Sequence, residues 1–175
     1  MHPVFEQLQR EIGESLKGLD AAQTQFRPVN SSEKWSIQQV MEHLLLTYTY
    51  SFQAFEARIE RGVPTKAKPN VPMRAVQFVV LTVGFMPKGR KAPVMVTPPM
   101  CGALLSGDAL VLQADEALIR LDELADKAEG LFGRQRSISH QVLGPLNVTQ
   151  WRRFQLVHGE HHLKQIRAIR LAHGV

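Results

Sequence analysis

The sequence predicts an all-α protein, a bundle of four long helices with one shorter helix and a long irregular loop in the middle. Apolar residues recur at spacings of three and four in several segments, which is the period of an amphipathic helix. Helix start signals and clusters of proline and glycine separate these segments. No stretch alternates apolar and polar residues as a half-buried strand would, and no long internal repeat is visible.

Composition fits a folded protein with one domain covering residues 1–175. Of the 175 residues, 44% are hydrophobic and 21% are charged, so a packed core is expected. Cys101 is the sole cysteine, which excludes an intrachain disulfide. Residues 1–10 lack the layout of a secretory signal. We therefore expect a cytoplasmic protein.

The first two predicted helices have clear patterns. Helix one covers 3–19, with its apolar residues at Val4, Phe5, Leu8, Ile12, Leu16 and Leu19. Ser36 and Gln39 match a capping box, so a second helix should begin there and run to about Arg61. Gly62 ends it.

The middle of the chain is less regular. A third, shorter helix is predicted over 72–86, because the apolar run at 75–86 suits a buried helix and is too short for the roughly 20 residues of a membrane span. Residues 87–107 contain four prolines and three glycines, so an irregular loop is expected, and loops of this length are often functional.

The last third of the chain predicts two more long helices. Residues 108–129 show apolar positions with acids opposite. Asn147 and Gln150 form a second helix start signal, so the final helix should cover about 148–172.

The net charge of +5 raises the question of nucleic acid binding. The cations are scattered, however, and no group of them is interleaved with stacking aromatics in a known nucleic-acid-binding motif. We therefore expect solvated surface charge, including at Arg152 and Arg153, and no nucleic acid partner.

Three histidines crowd the final helix. His158 and His162 are four residues apart, so their side chains share one helix face and can meet one cation. Apolar residues on or beside that face predict that it points inward; they are Trp151, Phe154, Ile166 and Ile169. His161 lies about 100° from His162 around the helix, so it cannot easily join them at one cation. Surface or hydrogen-bonded histidines are the alternative explanation of this spacing.

A metal site needs a third ligand, and His43 is the best candidate. It lies about two turns into the second helix, where Val40, Leu44 and Thr47 indicate an inward face. A lone histidine at such a position is more often structural, so this alternative stays open. His140, in a connector, is expected to be an ordinary polar residue.

Two segments carry a resemblance to a known family. The helix start "WSIQQVMEHLL" and the later "HGEHHLKQI" resemble the DinB-like superfamily of metal-binding four-helix bundles. The closing "GPLNVTQWRRFQLVHGEHHLKQI" is further similar to its DUF1569 branch. The resemblance implies that His43, His158 and His162 together bind a divalent metal ion, with His161 as a neighbour.

The same resemblance suggests function classes. The superfamily includes thiol-dependent S-transferases and a thiol-dependent isomerase beside many uncharacterised members. We expect a metal-dependent enzyme, with zinc or nickel first among the ions, that activates a low-molecular-weight thiol or water for attack on a small-molecule substrate. The alternative is a non-catalytic metal-binding, dimerisation or regulatory module. A homodimer is implied by resemblance alone.

Four further residues adjoin these motifs. Glu42 and Glu160 are expected to be exposed carboxylates rather than general bases. Gln165 can hydrogen-bond a metal ligand or a metal-bound water, although packing or surface exposure is the more common explanation of such a residue. Trp35 is expected to pack against the start of the second helix, at Gln39 or Met41.

Overall fold

The computed structural model describes residues 1–29, 31–87, 91–99 and 102–175 and confirms the all-α prediction. The helices, in chain order, are α1 (Pro3–Leu16), α2 (Ile37–Arg61), α3 (Val71–Gln77), α4 (Gly107–Phe132) and α5 (Val148–His173). Two short strands, β1 (Ile138–His140) and β2 (Gly144–Leu146), pair antiparallel between α4 and α5.

The four long helices form the bundle, in which α1 and α2 each pack against both α4 and α5. Their apolar faces meet in one core, where Leu8, Leu44 and Leu118 are fully buried. Gly159 lets α5 approach α1 closely, because a Cβ atom there would lie 2.5 Å from Leu8 Cδ1. Helix α2 also packs directly against α5, so side chains of the second and last helices meet inside the bundle.

Both predicted capping boxes are present. The Gln39 amide N–H donates to Ser36 Oγ at 3.2 Å, and the Ser36 N–H donates to Gln39 Oε1 at 3.1 Å. Asn147 and Gln150 make the same pair of bonds at the start of α5. These bonds satisfy N–H groups that a helix start leaves without partners, which explains why both starts were predictable.

Two helix ends differ from the prediction. Helix α1 stops at Leu16 rather than 19, because the chain turns at Gly18, whose φ is 76°. Helix α4 begins at Gly107 and continues to Phe132, three residues beyond the predicted end.

The expectation of a buried helix over 75–86 is wrong. Helix α3 ends at Gln77 and passes into a π-helical turn, Phe78–Val83, and Phe78 is 59% exposed. Within 71–86 only Gln77 and Val80 are buried. The apolar residues here do not fill the bundle core; several of them instead line the cavity described below.

The hairpin of β1 and β2 was missed, because strands of three residues are too short to show alternation. It is attached to α5 by Trp151, whose indole Nε1–H donates to the Ile138 carbonyl at 3.1 Å. The hairpin places His140 next to α5. In the predicted 87–107 loop, a 3-10 turn forms at Val94–Val96, whereas Cys101 lies outside the described residues.

The expectation of solvated arginines is wrong for Arg152. Its side chain is 3% exposed and forms ion pairs of 2.5 Å with Asp126 and Glu129 of α4. Arg153 is half-buried and donates to the Leu81 carbonyl at 3.3 Å. The side chain of Arg152 therefore links α5 to α4.

None of the described helices has the length and apolar character that crossing a bilayer requires.

Candidate metal centre

The structure brings His43, His158 and His162 together where α2 packs against α5. The Nε2 atom of His158 lies 3.2 Å from that of His43 and 3.1 Å from that of His162. Two nitrogens bound tetrahedrally to one zinc ion at roughly 2.0–2.1 Å lie about 3.3 Å apart. Both distances are close to this value, and donor atoms of all three residues lie within 4.8 Å of one another, so the group could hold a first-row divalent cation.

Hydrogen bonds on the far side of two rings orient them toward this point. His43 Nδ1 lies 2.7 Å from the Val96 carbonyl, and His162 Nδ1 lies 3.2 Å from Gln165 Oε1. Because both partners accept, each Nδ1 carries the proton and each Nε2 presents a lone pair. This is the arrangement by which outer partners fix metal-binding histidines.

His158 is the third histidine of the group, and its two ring nitrogens have different surroundings. A proton on its Nε2 would have to be shared between the lone pairs of two neighbours, whereas a cation can accept all three nitrogens. Its Nδ1 is buried and has no hydrogen-bond partner among the described residues. The donor set, three imidazole nitrogens, suits zinc, nickel, copper or ferrous iron.

Burial keeps the three rings uncharged. Desolvation, followed by repulsion from the neighbouring histidines, holds the pKa of His158 well below its usual value. The same causes lower the pKa of His162 to about 3. Desolvation also lowers the pKa of His43, although the bond to Val96 opposes the shift. Neutral imidazoles are the form that metal ions require.

Two glutamines of α2 hold the chain that follows Val96. Gln38 Nε2 donates to the Ala103 carbonyl at 2.8 Å, and Gln39 Nε2 donates to the Pro99 carbonyl at 3.2 Å. Gln38 also accepts from the Leu105 N–H at 3.0 Å. These bonds keep the Val96 carbonyl over His43.

The residues beside the three histidines have definite partners. Gln165 Nε2 lies 3.1 Å from His161 Nε2, so this exposed glutamine links the neighbouring histidine to His162. Glu42 accepts from Gln38 at 2.9 Å, and Glu160 accepts from Gln7 at 3.4 Å. Both carboxylates are half-buried rather than exposed. Both have partners outside the histidine triad of His43, His158 and His162.

A cavity of about 1360 Å³ opens beside the triad. Its lining combines the three histidines with mostly apolar side chains, among them Val76, Val79, Val96, Phe154 and Ile169. Trp35 also lines it, with its ring centroid 5.0 Å from that of His43, a contact that the sequence did not indicate. A small molecule in this cavity would lie beside the three histidines.

His140 is the cavity residue whose place the sequence missed. Its ring lies 4.4 Å from that of Phe154, which stacks in turn on His158 at 5.4 Å and 12°. Burial lowers the pKa of His140 to about 4. Only its position in "SISHQVLGPL", at the end of a strand too short to recognise, could have drawn attention to it.

Comparison with known proteins gives one family and one relative. The model of the DinB superfamily matches residues 5–166. An uncharacterized protein of Bacillus subtilis (strain 168), YuaE, is 27% identical over 168 residues, which cover 95% of each chain. No solved structure is significantly similar. The match is at the level of the superfamily, so the narrower DUF1569 resemblance stays a prediction.

Proposed function

The chain belongs to the DinB superfamily, and from this membership and the convergent histidines we propose that it is a divalent-metal-dependent enzyme. In this proposal His43, His158 and His162 hold one cation, with zinc or nickel expected first. The observation that carries it is the convergence of three ring nitrogens: the Nε2 atom of His158 lies 3.2 Å from that of His43 and 3.1 Å from that of His162.

The position of the triad supports catalysis over a closed structural site. Structural zinc sites use four protein ligands, whereas catalytic sites use three and leave a position for water or substrate. Within the described residues, the group able to hold an ion comprises these three histidines alone. All three line the cavity, so an entering molecule can approach them.

A bound cation would supply Lewis acidity, lowering the pKa of a thiol or of water so that either becomes a nucleophile near neutral pH. The chain's own residues do the rest. Val96 and Gln165 hold the two outer Nδ1–H groups, so the lone pairs stay directed inward. Phe154 and Trp35 pack against the rings of His158 and His43 and help to hold their orientation. We propose a low-molecular-weight thiol or water as the nucleophile and a small electrophile as the substrate.

Metal analysis tests this proposal. Plasma mass spectrometry of tag-free protein at pH 7.5 should find about one divalent ion per chain, as purified or after addition of zinc or nickel. His43→Ala and His158→Ala should lose it. His161→Ala is the matched control, because this ring is beside the triad without belonging to it, and it should retain the ion.

Chemistry is tested on the metal-loaded protein with thiol transfer and hydrolysis assays. Turnover that disappears in His43→Ala and persists in His161→Ala would support an enzyme. A metal-loaded protein that melts far higher than the chelated one, yet exchanges no ligand with added thiol, would favour a structural metal and contradict catalysis. If wild-type protein takes up no ion, the proposal that these histidines bind a metal is contradicted.

A further inference from the structure

His140 presents a hydrogen-bond donor whose direction the hairpin fixes. Its Nδ1 atom accepts two backbone N–H bonds, from Val142 and from Leu143, each of 3.1 Å. Because Nδ1 is an acceptor in both, the neutral ring carries its proton on Nε2. The low pKa of this histidine keeps the ring neutral near pH 7. Among the described residues, no group accepts a hydrogen bond from this Nε2–H.

The donor belongs to the same cavity as the triad. His140 lines the cavity wall, and the ring of Phe154 contacts both His140 and His158. His140 is not one of the residues that could share the cation. It can therefore contact a molecule that occupies the cavity while the triad holds an ion.

The rest of the lining indicates what that molecule is. Most of the wall is aliphatic or aromatic, which favours an apolar body. The charged side chains of the described lining are Lys34, Lys91, Lys164 and Glu33, and no ion pair joins any of them to another described residue. Three cations against one anion favour a ligand with negative charge and disfavour a cationic one.

We propose that this cavity binds an apolar organic molecule carrying one anionic oxygen group, such as a carboxylate, and that His140 Nε2–H donates a hydrogen bond to that group. The proposal deepens the proposed function by naming its substrate class. It rests on that function only for identifying this ligand with the substrate. Binding itself relies on the lysines, the apolar wall and His140, and needs no metal ion.

Two substitutions separate the donor from the structure of the hairpin. In His140→Asn the side-chain oxygen can take the place of Nδ1 and keep the bonds from Val142 and Leu143, while the Nε2 donor is lost. In His140→Gln the terminal amide can reach the position of Nε2 and keep the donor, while the hairpin bonds are lost. Thermal unfolding by circular dichroism checks that both variants fold.

The experiment measures binding of 11-(dansylamino)undecanoic acid by its fluorescence, on protein as purified and again after chelation. Competition with decanoate, 1-decanol and decylamine follows. We expect decanoate to displace the probe at the lowest concentration and decylamine at the highest. His140→Asn should weaken binding of the probe about tenfold, and His140→Gln should stay within about threefold of wild type.

Three results would overturn the proposal: no binding of the probe, unchanged affinity in His140→Asn, or displacement by decylamine as effective as by decanoate. Equal losses in His140→Asn and His140→Gln would also contradict it, since the donor would then not be the cause. Failure of the metal proposal is separate, because metal content is measured independently and the chelated protein should still bind the probe.

Discussion

The Nδ1 atom of His43 lies 2.7 Å from the carbonyl oxygen of Val96, a residue 53 positions along the chain. This bond assigns the ring proton to Nδ1, so Nε2 carries a lone pair that faces His158. A backbone group between α3 and α4 thus determines how a side chain of α2 presents itself to α5.

The histidine tautomers should differ on the two sides of the cavity. In metal-free protein at pH 7.5, His43 and His162 should be Nδ1–H tautomers, because their Nδ1 atoms face Val96 O and Gln165 Oε1. His140 should be the Nε2–H tautomer, because its Nδ1 accepts two N–H groups. Long-range ¹H–¹⁵N correlation spectra distinguish the tautomers, with His140→Asn used for assignment. An Nε2–H tautomer at His43 would contradict the orientation described here.

Removing the amide of Gln165 should weaken metal binding without abolishing it. Gln165→Leu deletes the acceptor that holds His162 Nδ1–H, so we expect affinity to fall about tenfold. Gln165→Glu keeps an acceptor at that position and should bind at least as tightly as wild type. Competition with a chromophoric chelator measures both affinities. Equal affinity of Gln165→Leu and wild type would show that the bond has no influence on the ligand.

Acidification should destabilise the metal-free protein. The folded-state pKa values of His140, about 4, and His162, about 3, lie below the unfolded value of 6.5. The unfolded state therefore binds more protons as the pH falls below 6.5, and the free energy of unfolding decreases with it. Between pH 7.5 and 5 each histidine should contribute a loss of about 1–2 kcal/mol. Urea denaturation at both pH values measures the loss, which His140→Asn should reduce; an unchanged loss would contradict the assignment.

Gly159→Ala should destabilise the protein, because the added Cβ would lie 2.5 Å from Leu8 Cδ1. We expect a decrease of about 1–3 kcal/mol in the free energy of unfolding, as overpacking usually gives. Gly130→Ala in α4 is the control, since a Cβ there meets nothing within 4 Å. That change should be neutral or stabilising by up to about 1 kcal/mol. Urea denaturation compares the two, and equal effects would exclude close packing as the cause.

The buried guanidinium of Arg152 should be costly only when it loses its partners. The double variant Asp126→Asn, Glu129→Gln leaves a charge that is 3% exposed without a carboxylate, so we expect a loss of about 3 kcal/mol or more. Arg152→Met removes the charge and returns two largely exposed carboxylates to water, so its loss should be smaller. Thermal and urea unfolding rank the variants. A larger loss in Arg152→Met would show that packing by the side chain matters more than the charge.

The parts of the fold that the sequence predicted depend on neighbouring residues. The capping boxes at Ser36 and Asn147 and the stop at Gly62 are local hydrogen bonds and dihedral preferences, so their signals are visible in a few letters. The spacing of His158 and His162 likewise follows from the pitch of one helix. The C-terminal ends of α1 and α4 lie a few residues from the predicted positions, because a turn ends α1 early and further packing extends α4.

Other features depend on which surfaces meet in space, and the sequence did not reveal them. Arg152 looked solvated until α4 placed Asp126 and Glu129 beside it. Residues 75–86 looked like a core helix because they are apolar, yet much of that surface faces a cavity rather than the bundle.

By itself the sequence determined an all-α chain, where its main helices begin, and a histidine pair on one face of the last. Only the tertiary structure brought His43 to that pair, fixed its ring through Val96, and placed His140 against Phe154, which also contacts His158. The physical reason is range. Helical pitch and capping act over a few residues, whereas convergence of the rings requires α2 to pack on α5, which the burial of the whole apolar core drives.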